Sequence, residues 1–240
     1  MNPQPLAADV YKRYTGSYGN DYLNYELENE AVFLELQKIA LEDAGFYHIE
    51  KELFEKGKPK VLDAGCATGA MLAYLDKRGW ETAGVEISPA ALYAQKERGL
   101  NVLCCSLEEA DFQNESIDVA LVSHLIEHLN NPAAFMRELL RILRPGAYLF
   151  LTTPNINGFQ AKLFGNNWRS AIFDHLYLFS KTTIKALLNK YGFDIQSVYT
   201  WGGLAAGTAP RPIKIIADKT AKKFGFGDVM LIKAKKCIPC

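Results

Sequence analysis

The stretch SHLIEHLNNP, residues 123–132, places His124, Glu127 and His128 in an H-x-x-E-H pattern. On a helix this spacing sets two imidazoles on one face with a carboxylate beside them, as in a zinc hydrolase whose glutamate activates water. Such a site also needs a third ligand and an open position for the water. The same residues have another use, because histidine is the side chain whose ordinary pKa suits proton transfer near neutral pH. With His175, three of the four histidines of the chain stand at candidate positions. Which chemistry applies depends on the elements that position them.

From about Lys60 onward, strand-like and helix-like patterns alternate. KVLDA (60–64) is a short apolar run ending in Gly65, and Met71, Leu72 and Leu75 follow at helical spacing until Gly79. ETAGVEI is the next strand; Ser88 is a ready N-cap with Pro89 at the first helical position, and Gly99 closes that helix. NVLCC and IDVALVS are the third and fourth strands. Asn131 and Pro132 open a helix carrying Met136, Leu139, Leu140 and Leu143 inward, stopped by Pro145 and Gly146. AYLFLTT is strand five, Ser180 caps another helix, and FDIQSVYT and DVMLIKAKK complete seven strands, the last reached through a segment without clear periodicity. Strands alternating with helices of this length predict an α/β fold, a mostly parallel sheet covered on both faces. Before Lys60 the reading changes to a helical lid, residues 1–55, rich in tyrosine (Tyr11, Tyr14, Tyr18, Tyr22, Tyr25), ahead of one domain over 56–240.

In an open α/β sheet the ligand sits at the carboxyl ends of the strands. VLDAGCATG, residues 61–69, lies at such an end, and its glycines let backbone pass close to a ligand. The loop is neither G-x-G-x-x-G nor a phosphate-binding G-K-S/T loop, which argues against a dinucleotide or a triphosphate. Glu86, at the end of the second strand, is placed to accept hydrogen bonds from both ribose hydroxyls of a nucleoside.

Composition bounds the alternatives. Lys+Arg and Asp+Glu both number 27, so no overall charge announces nucleic acid. Locally Arg211, Lys214, Lys219, Lys222, Lys223, Lys233, Lys235 and Lys236 face only Asp218 and Asp228, which reads as a solvated face or a surface for an anionic substrate. There is no membrane-spanning run and no basic-then-apolar leader pattern, so the expected location is cytoplasmic. Five cysteines then imply reduced thiols, with Cys237 and Cys240 forming half of a zinc site at most.

With these residues in place, the chain resembles the class I S-adenosylmethionine-dependent methyltransferases over roughly residues 55–236. DAGCATG is similar to their D/E-x-G-x-G-x-G loop, with Ala67 standing where the middle glycine often is. The resemblance implies a Rossmann-like sheet of order 3-2-1-4-5-7-6 with the seventh strand antiparallel. It also implies cofactor contacts from Asp63, Gly65, Cys66, Gly69, Glu86, Ile87, Ser106, Leu107, Ser123 and His124, with S-adenosylhomocysteine as product. Ser106 stands where these proteins commonly have aspartate beside the adenine. DVALVSHLIEHLNNPAAFMRELLRILRPGAYLFLTTPN and DHLYLFSKTTIKALLNKYGF resemble more narrowly the methyltransferases allied to ubiquinone-biosynthesis and glycan-modifying enzymes.

That context removes the protease reading, since His124 follows directly on the fourth strand. It implies O-methylation of a small-molecule or glycan hydroxyl, with His124, then His175 and His128, as the candidate bases, and Asn155, Asn157, Trp168 and Arg169 shaping the acceptor pocket. Some relatives, the plant small-RNA 2′-O-methyltransferases among them, carry E-x-x-E-H and a later histidine that bind Mg²⁺ on vicinal hydroxyls. Here His124 replaces the first glutamate, and imidazole disfavours Mg²⁺ relative to zinc. The expectation is therefore a base and no metal. A cofactor-binding subunit without catalysis is the remaining alternative, against which the intact glycine loop argues.

Overall fold

The strands at the centre of the sheet read as near-continuous apolar runs because both of their faces are covered. The computed structural model describes residues 12, 14, 16–203 and 210–238. Helices α1 (Gly16–Asp43) and α2 (Phe46–Phe54) precede β1 (Lys60–Ala64), α3 (Ala70–Asp76), β2 (Glu81–Val85), α4 (Ala90–Arg98) and β3 (Val102–Leu103). Then follow β4 (Ile117–Ser123), α5 (Pro132–Ile142), β5 (Leu143–Pro154), α6 (Phe159–Phe164), α7 (Lys181–Lys190), β6 (Phe193–Trp201), α8 (Arg211–Phe224) and β7 (Val229–Lys236). The sheet order is β3-β2-β1-β4-β5-β7-β6, with β7 antiparallel to both neighbours and the other pairings parallel. This is the expected order. It reverses between β1 and β4, so a crevice opens at their carboxyl ends.

Side chains alternate across the sheet with period two. Leu62, Ala64, Ala120, Val122, Leu149, Leu151 and Ile232 pack on one face with Phe135, Met136 and Leu139 of α5 and Ile184 and Leu188 of α7. Val61, Val119, Leu121, Phe150 and Leu231 pack on the other with Leu41, Ala44, Phe46, Ile49, Met71 and Leu75. The end of α1 and the inner face of α2 thus belong to the core, although both fall within the segment 1–55 expected as a lid. Gly45, at φ 75°, makes the turn between the two helices. Tyr11 and Cys240, and with them the start of the lid and the C-x-x-C pair, lie outside the described residues; Cys237 is exposed.

Several boundaries differ from the sequence reading. Pro89 itself occupies the cap of α4, while the Ser88 hydroxyl accepts from the Ala90 amide at 3.3 Å, one position from the expected arrangement. The helix expected to run to Pro145 ends at Ile142, because Leu143 already pairs with Ile117 of β4 and the chain bends through Gly146 at φ 77°. Within the segment that lacked a pattern stands α8, whose isoleucines 215 and 216 are exposed and so give no core-facing period.

Glu50 joins α2 to the start of β2. Its buried carboxylate accepts from the indole N–H of Trp80 at 2.7 Å and from Nε of Arg78 at 2.9 Å. Replacing it leaves a buried indole donor unpaired, so Glu50→Ala is expected to destabilise the fold by about 2–3 kcal/mol in urea titration. Glu50→Gln, which keeps one acceptor, should lose less.

Candidate active site

The glycine loop follows β1 into a tight turn. Gly65 has φ 73° and its amide, with that of Cys66, donates to the carbonyl of Val85 at 2.9 and 3.2 Å. A Cβ at Gly65 would press on Leu125 at 3.2 Å and one at Gly69 on Leu100 at 2.7 Å, and with φ 73° and 75° a side chain at either position is strained. Ala67 adopts φ 46°, the left-handed conformation that glycine takes more easily, which explains a glycine at this place in related loops. Glu86 is buried and ties the loop to β2: it accepts from the Ala67 amide at 3.1 Å and the Ser88 amide at 2.8 Å. Burial, and then Glu86, pushes the Asp63 carboxyl up to about 7. Burial, with Asp63 and Glu86 adding, also pushes the Cys66 thiol up, so Cys66 serves through its backbone.

Ile87 is half-buried beyond Glu86. Ser106 and Leu107 begin a single 3₁₀ turn after β3, where the Ser106 hydroxyl and amide both donate to Glu109, at 2.8 and 3.0 Å. Its side chain is thus committed to capping. Ser123 ends β4 and, with Asp63, Gln37 and Thr152, lines a narrow cavity under α1.

After Ser123 the chain turns sharply. His124 has φ 52°, Leu125 packs inward, and Ile126–His128 form one 3₁₀ turn, so no long helix carries the H-x-x-E-H. Nδ1 of His124 lies 3.1 Å from Oε1 of Glu127, and the Thr153 hydroxyl donates to Oε2 at 3.0 Å. Burial alone would raise the fully buried Glu127, but the hydrogen bond from His124 and the fields of His124 and His128 outweigh it and hold the carboxyl low. An ionised Glu127 accepts, so Nδ1 of His124 donates and Nε2 keeps its lone pair. Sequence spacing offered Glu127 as a water-activating carboxylate or a metal ligand; its contact with His124 appears only with the turn.

His128 and His175 complete a cluster. Their rings meet edge to face at 4.7 Å, and burial, helped by His175 and opposed by Glu127, holds His128 below its ordinary value. Nδ1 of His175 donates to the carbonyl of Ser170 at 2.8 Å, leaving Nε2 available. Ligand atoms of Glu127, His128 and His175 lie within 4.8 Å of one another, a set that omits His124.

Helix α1 crosses this edge, which the sequence did not specify. The Tyr14 hydroxyl, just before α1, is 3.3 Å from Nδ1 of His128. Further along, Glu30 accepts from the Thr68 hydroxyl at 2.5 Å and from Arg98. Between them, burial, and then Glu86 and Glu26, pushes the Tyr22 phenol up. Burial likewise raises Glu26, with Glu86 and Glu30 adding while Tyr22 and His124 oppose.

The loop after β5 is placed differently. Asn155 is buried, its side chain donating to the Gly227 carbonyl at 2.9 Å and accepting from the Asn157 amide at 3.1 Å. Trp168 is also buried, its indole donating to Asp228 at 2.5 Å, and Nε of Arg169 donates to the same carboxylate at 2.7 Å. Asn155 and Trp168, expected as pocket residues, are thus buried and bonded within the fold, while Arg169 and Asn157 are exposed.

A reversed sheet order, a glycine loop after β1 and an acid after β2 define the class I methyltransferase fold. The model of a family described as a methyltransferase domain matches residues 37–198, well over half of the chain, and the chain belongs to that family. It is similar to the ubiquinone biosynthesis O-methyltransferase of Coxiella burnetii, 29% identical over 123 residues, covering 49% of this chain and 52% of that protein. The mitochondrial counterpart from Rattus norvegicus is 31% identical over 115 residues, 42% of this chain and 33% of that protein. The chain thus matches about half the length of the first of these relatives or less. In fold it is similar to an S-adenosylmethionine-dependent methyltransferase from Archaeoglobus fulgidus, TM-score 0.63, 21% identical, covering 88% of this chain and 99% of that one. A possible histamine N-methyltransferase from Thermotoga maritima gives 0.65 at 22% identity, covering 95% and 98%. Among the described residues no helix is long and apolar enough to cross a membrane.

The family's cofactor is S-adenosylmethionine, and the site fits it: two neighbouring buried carboxylates, Asp63 and Glu86, suit a cationic nucleoside with ribose hydroxyls. The raised carboxyl of Asp63 has a measurable consequence. An unfolded chain releases this proton near ~4 whereas the fold keeps it to about 7, so stability falls as pH rises across that interval and levels off above it. Asp63→Asn is expected to raise the unfolding temperature of the cofactor-free protein at pH ~8, leave it nearly unchanged at pH ~4, and weaken cofactor binding. Scanning calorimetry at the two pH values checks this; an equal effect at both would refute the assignment.

Proposed function

We propose that the protein transfers a methyl group from S-adenosylmethionine to a hydroxyl of a small molecule or glycan, with His124 as general base. The observation that carries this reading is the His124–Glu127 pair, 3.1 Å apart, at the carboxyl end of β4. The cofactor supplies a methyl group on a sulfonium, which a nucleophile displaces in line. The glycine loop, Asp63 and Glu86 hold and orient the donor, and positioning is the largest share of the help such a displacement needs. Nε2 of His124 takes the proton of the acceptor hydroxyl while Glu127 stabilises the imidazolium that forms. Helix α1, fastened through Tyr14 and Glu30, excludes water from the cleft. The activity for which these relatives are named, O-methylation in ubiquinone biosynthesis, supports a hydroxyl acceptor.

A second reading rests on the Glu127, His128 and His175 cluster. One carboxylate and two imidazoles suit zinc or another transition metal better than Mg²⁺. In that case His128 and His175 hold an ion that grips vicinal hydroxyls of the acceptor, and Glu127 is shared between the ion and His124.

Two measurements test these assignments. Glu86→Gln is expected to weaken S-adenosylmethionine by about tenfold or more in calorimetry, since one side of the carboxylate becomes a donor. His124→Ala is expected to lower kcat with labelled cofactor by about 10²–10⁴ while preserving cofactor affinity. Stoichiometric metal by elemental analysis, chelator-sensitive turnover and equal damage from His128→Ala and His175→Ala would instead establish the metal reading.

A further inference from the structure

The outward face of α8 takes no part in the site described above. Pro212, Ile215, Ile216, Lys219, Lys222 and Lys223 are exposed and spaced i, i+3, i+4, i+7, i+10 and i+11 along one stripe, with Phe224 exposed at the end of the helix. The inner side is fixed against the sheet edge. The Thr200 hydroxyl donates to the Ala221 carbonyl at 3.3 Å and the Gly203 amide to Asp218 at 2.8 Å, while a Cβ on Gly203 would sit 2.4 Å from the backbone of Ala217. The stripe therefore has one orientation, apolar in its first half and basic in its second.

No carboxylate lies on it. Asp218, the helix's acid, is paired with Lys214 at 2.5 Å on the inner side. Lys222 reaches Asp43 at 2.6 Å, but among the described residues Lys219 and Lys223 have no carboxylate partner. In a chain with equal numbers of positive and negative side chains, this is a local concentration of charge. Ile216 is 65% exposed and Phe224, at the end of the helix, 64%. Phe224 stacks on Phe226 at 6.0 Å, and the Phe226 carbonyl accepts from the Phe159 amide at 2.8 Å. The apolar surface thereby continues onto α6, where Phe159, Leu163 and Phe164 are also exposed.

We propose that α8, with the adjoining edge of α6, is a docking surface for an anionic lipid bilayer. Isoleucine and phenylalanine side chains enter the boundary between headgroups and acyl chains, and the lysines lie among lipid phosphates with their stems in the apolar layer. A nucleic acid would leave the apolar half uncovered. The helix lies beyond residue 198, where the family match ends. It connects the carboxyl end of β6 to the start of β7, at the sheet edge that carries the active site, so docking sets the acceptor side of the molecule beside the bilayer.

Sedimentation of the full chain with vesicles tests this, using phosphatidylcholine alone and phosphatidylcholine with about one-third phosphatidylglycerol. The protein is expected to pellet with the anionic vesicles and not with the neutral ones. Lys219→Gln with Lys223→Gln should weaken this binding by more than about tenfold. Ile215→Gln with Ile216→Gln, which keeps helix propensity, should do so by a similar factor. Circular dichroism and S-adenosylmethionine affinity are expected to be unchanged in both variants, which separates loss of docking from loss of fold or of the proposed activity. The proposal is overturned if the wild type stays in the supernatant with anionic vesicles. Pelleting that neither double variant reduces would overturn it too, as would self-association without vesicles that both variants abolish, since the face would then join two copies of the chain.

Discussion

Burial of Glu86 at the carboxyl end of β2 is the constraint around which the active site is arranged. A carboxylate enclosed there needs donors, and the amides of Ala67 and Ser88 supply them. Those two bonds fix the glycine loop on one side and the start of α4 on the other, so the cofactor cleft is shaped before anything binds. The same enclosure places Glu86 beside Asp63, Tyr22 and Glu26, each of which it makes harder to ionise. A cationic ligand relieves that repulsion, and electrostatics therefore favours the methyl donor over a neutral nucleoside.

The histidine cluster follows the opposite principle. Glu127 is more deeply buried than Glu86, yet remains ionised because imidazoles and a threonine hydroxyl surround it. Its carboxylate meets His124, three residues earlier in the chain, across a turn in which His124 itself takes a left-handed conformation. Backbone strain at such a residue persists only where the surroundings over-determine it. Here the His124 amide donates to the Thr152 carbonyl at 2.9 Å and the side chain is held by Glu127. His128, whose Nδ1 lies 3.3 Å from the Tyr14 hydroxyl, and His175, with its Nδ1 proton committed to Ser170, meet ring to ring beside Glu127. A base and a metal ligand set are thus built from overlapping residues, and the proton positions decide between them.

Helix α1 joins the two halves. Its contacts with Thr68 and Arg98 reach the cofactor loop, and Tyr14, just ahead of it, reaches His128. Its last turn is part of the core under Phe46 and Trp80, which stack at 5.5 Å. One end is therefore rigidly held while the other covers the cleft, an arrangement suited to opening at the cleft without disturbing the sheet.

The sequence by itself determined the strands, their order of appearance, the glycine loop and the acid that ends the second strand, because period-two and period-3.6 patterns and a Gly-rich turn are local signals. Asn131, Pro132 and Ser180 fixed helix starts for the same reason. Tertiary structure alone decided what could not be local. Asn155 and Trp168 have the types of pocket residues, yet they are spent on Gly227 and Asp228, about sixty residues away or more. Helix α8 went unread because its isoleucines 215 and 216 face outward, while its buried position, Ala221, is too small to mark a core-facing stripe. The partnership of His124 with Glu127 required the turn after β4, and the approach of His175 to His128 required the loop after β5 to fold back across nearly fifty residues. Chain-distant contacts of this kind carry no pattern in sequence, since the residue types they use are set by a neighbour that only the fold brings near.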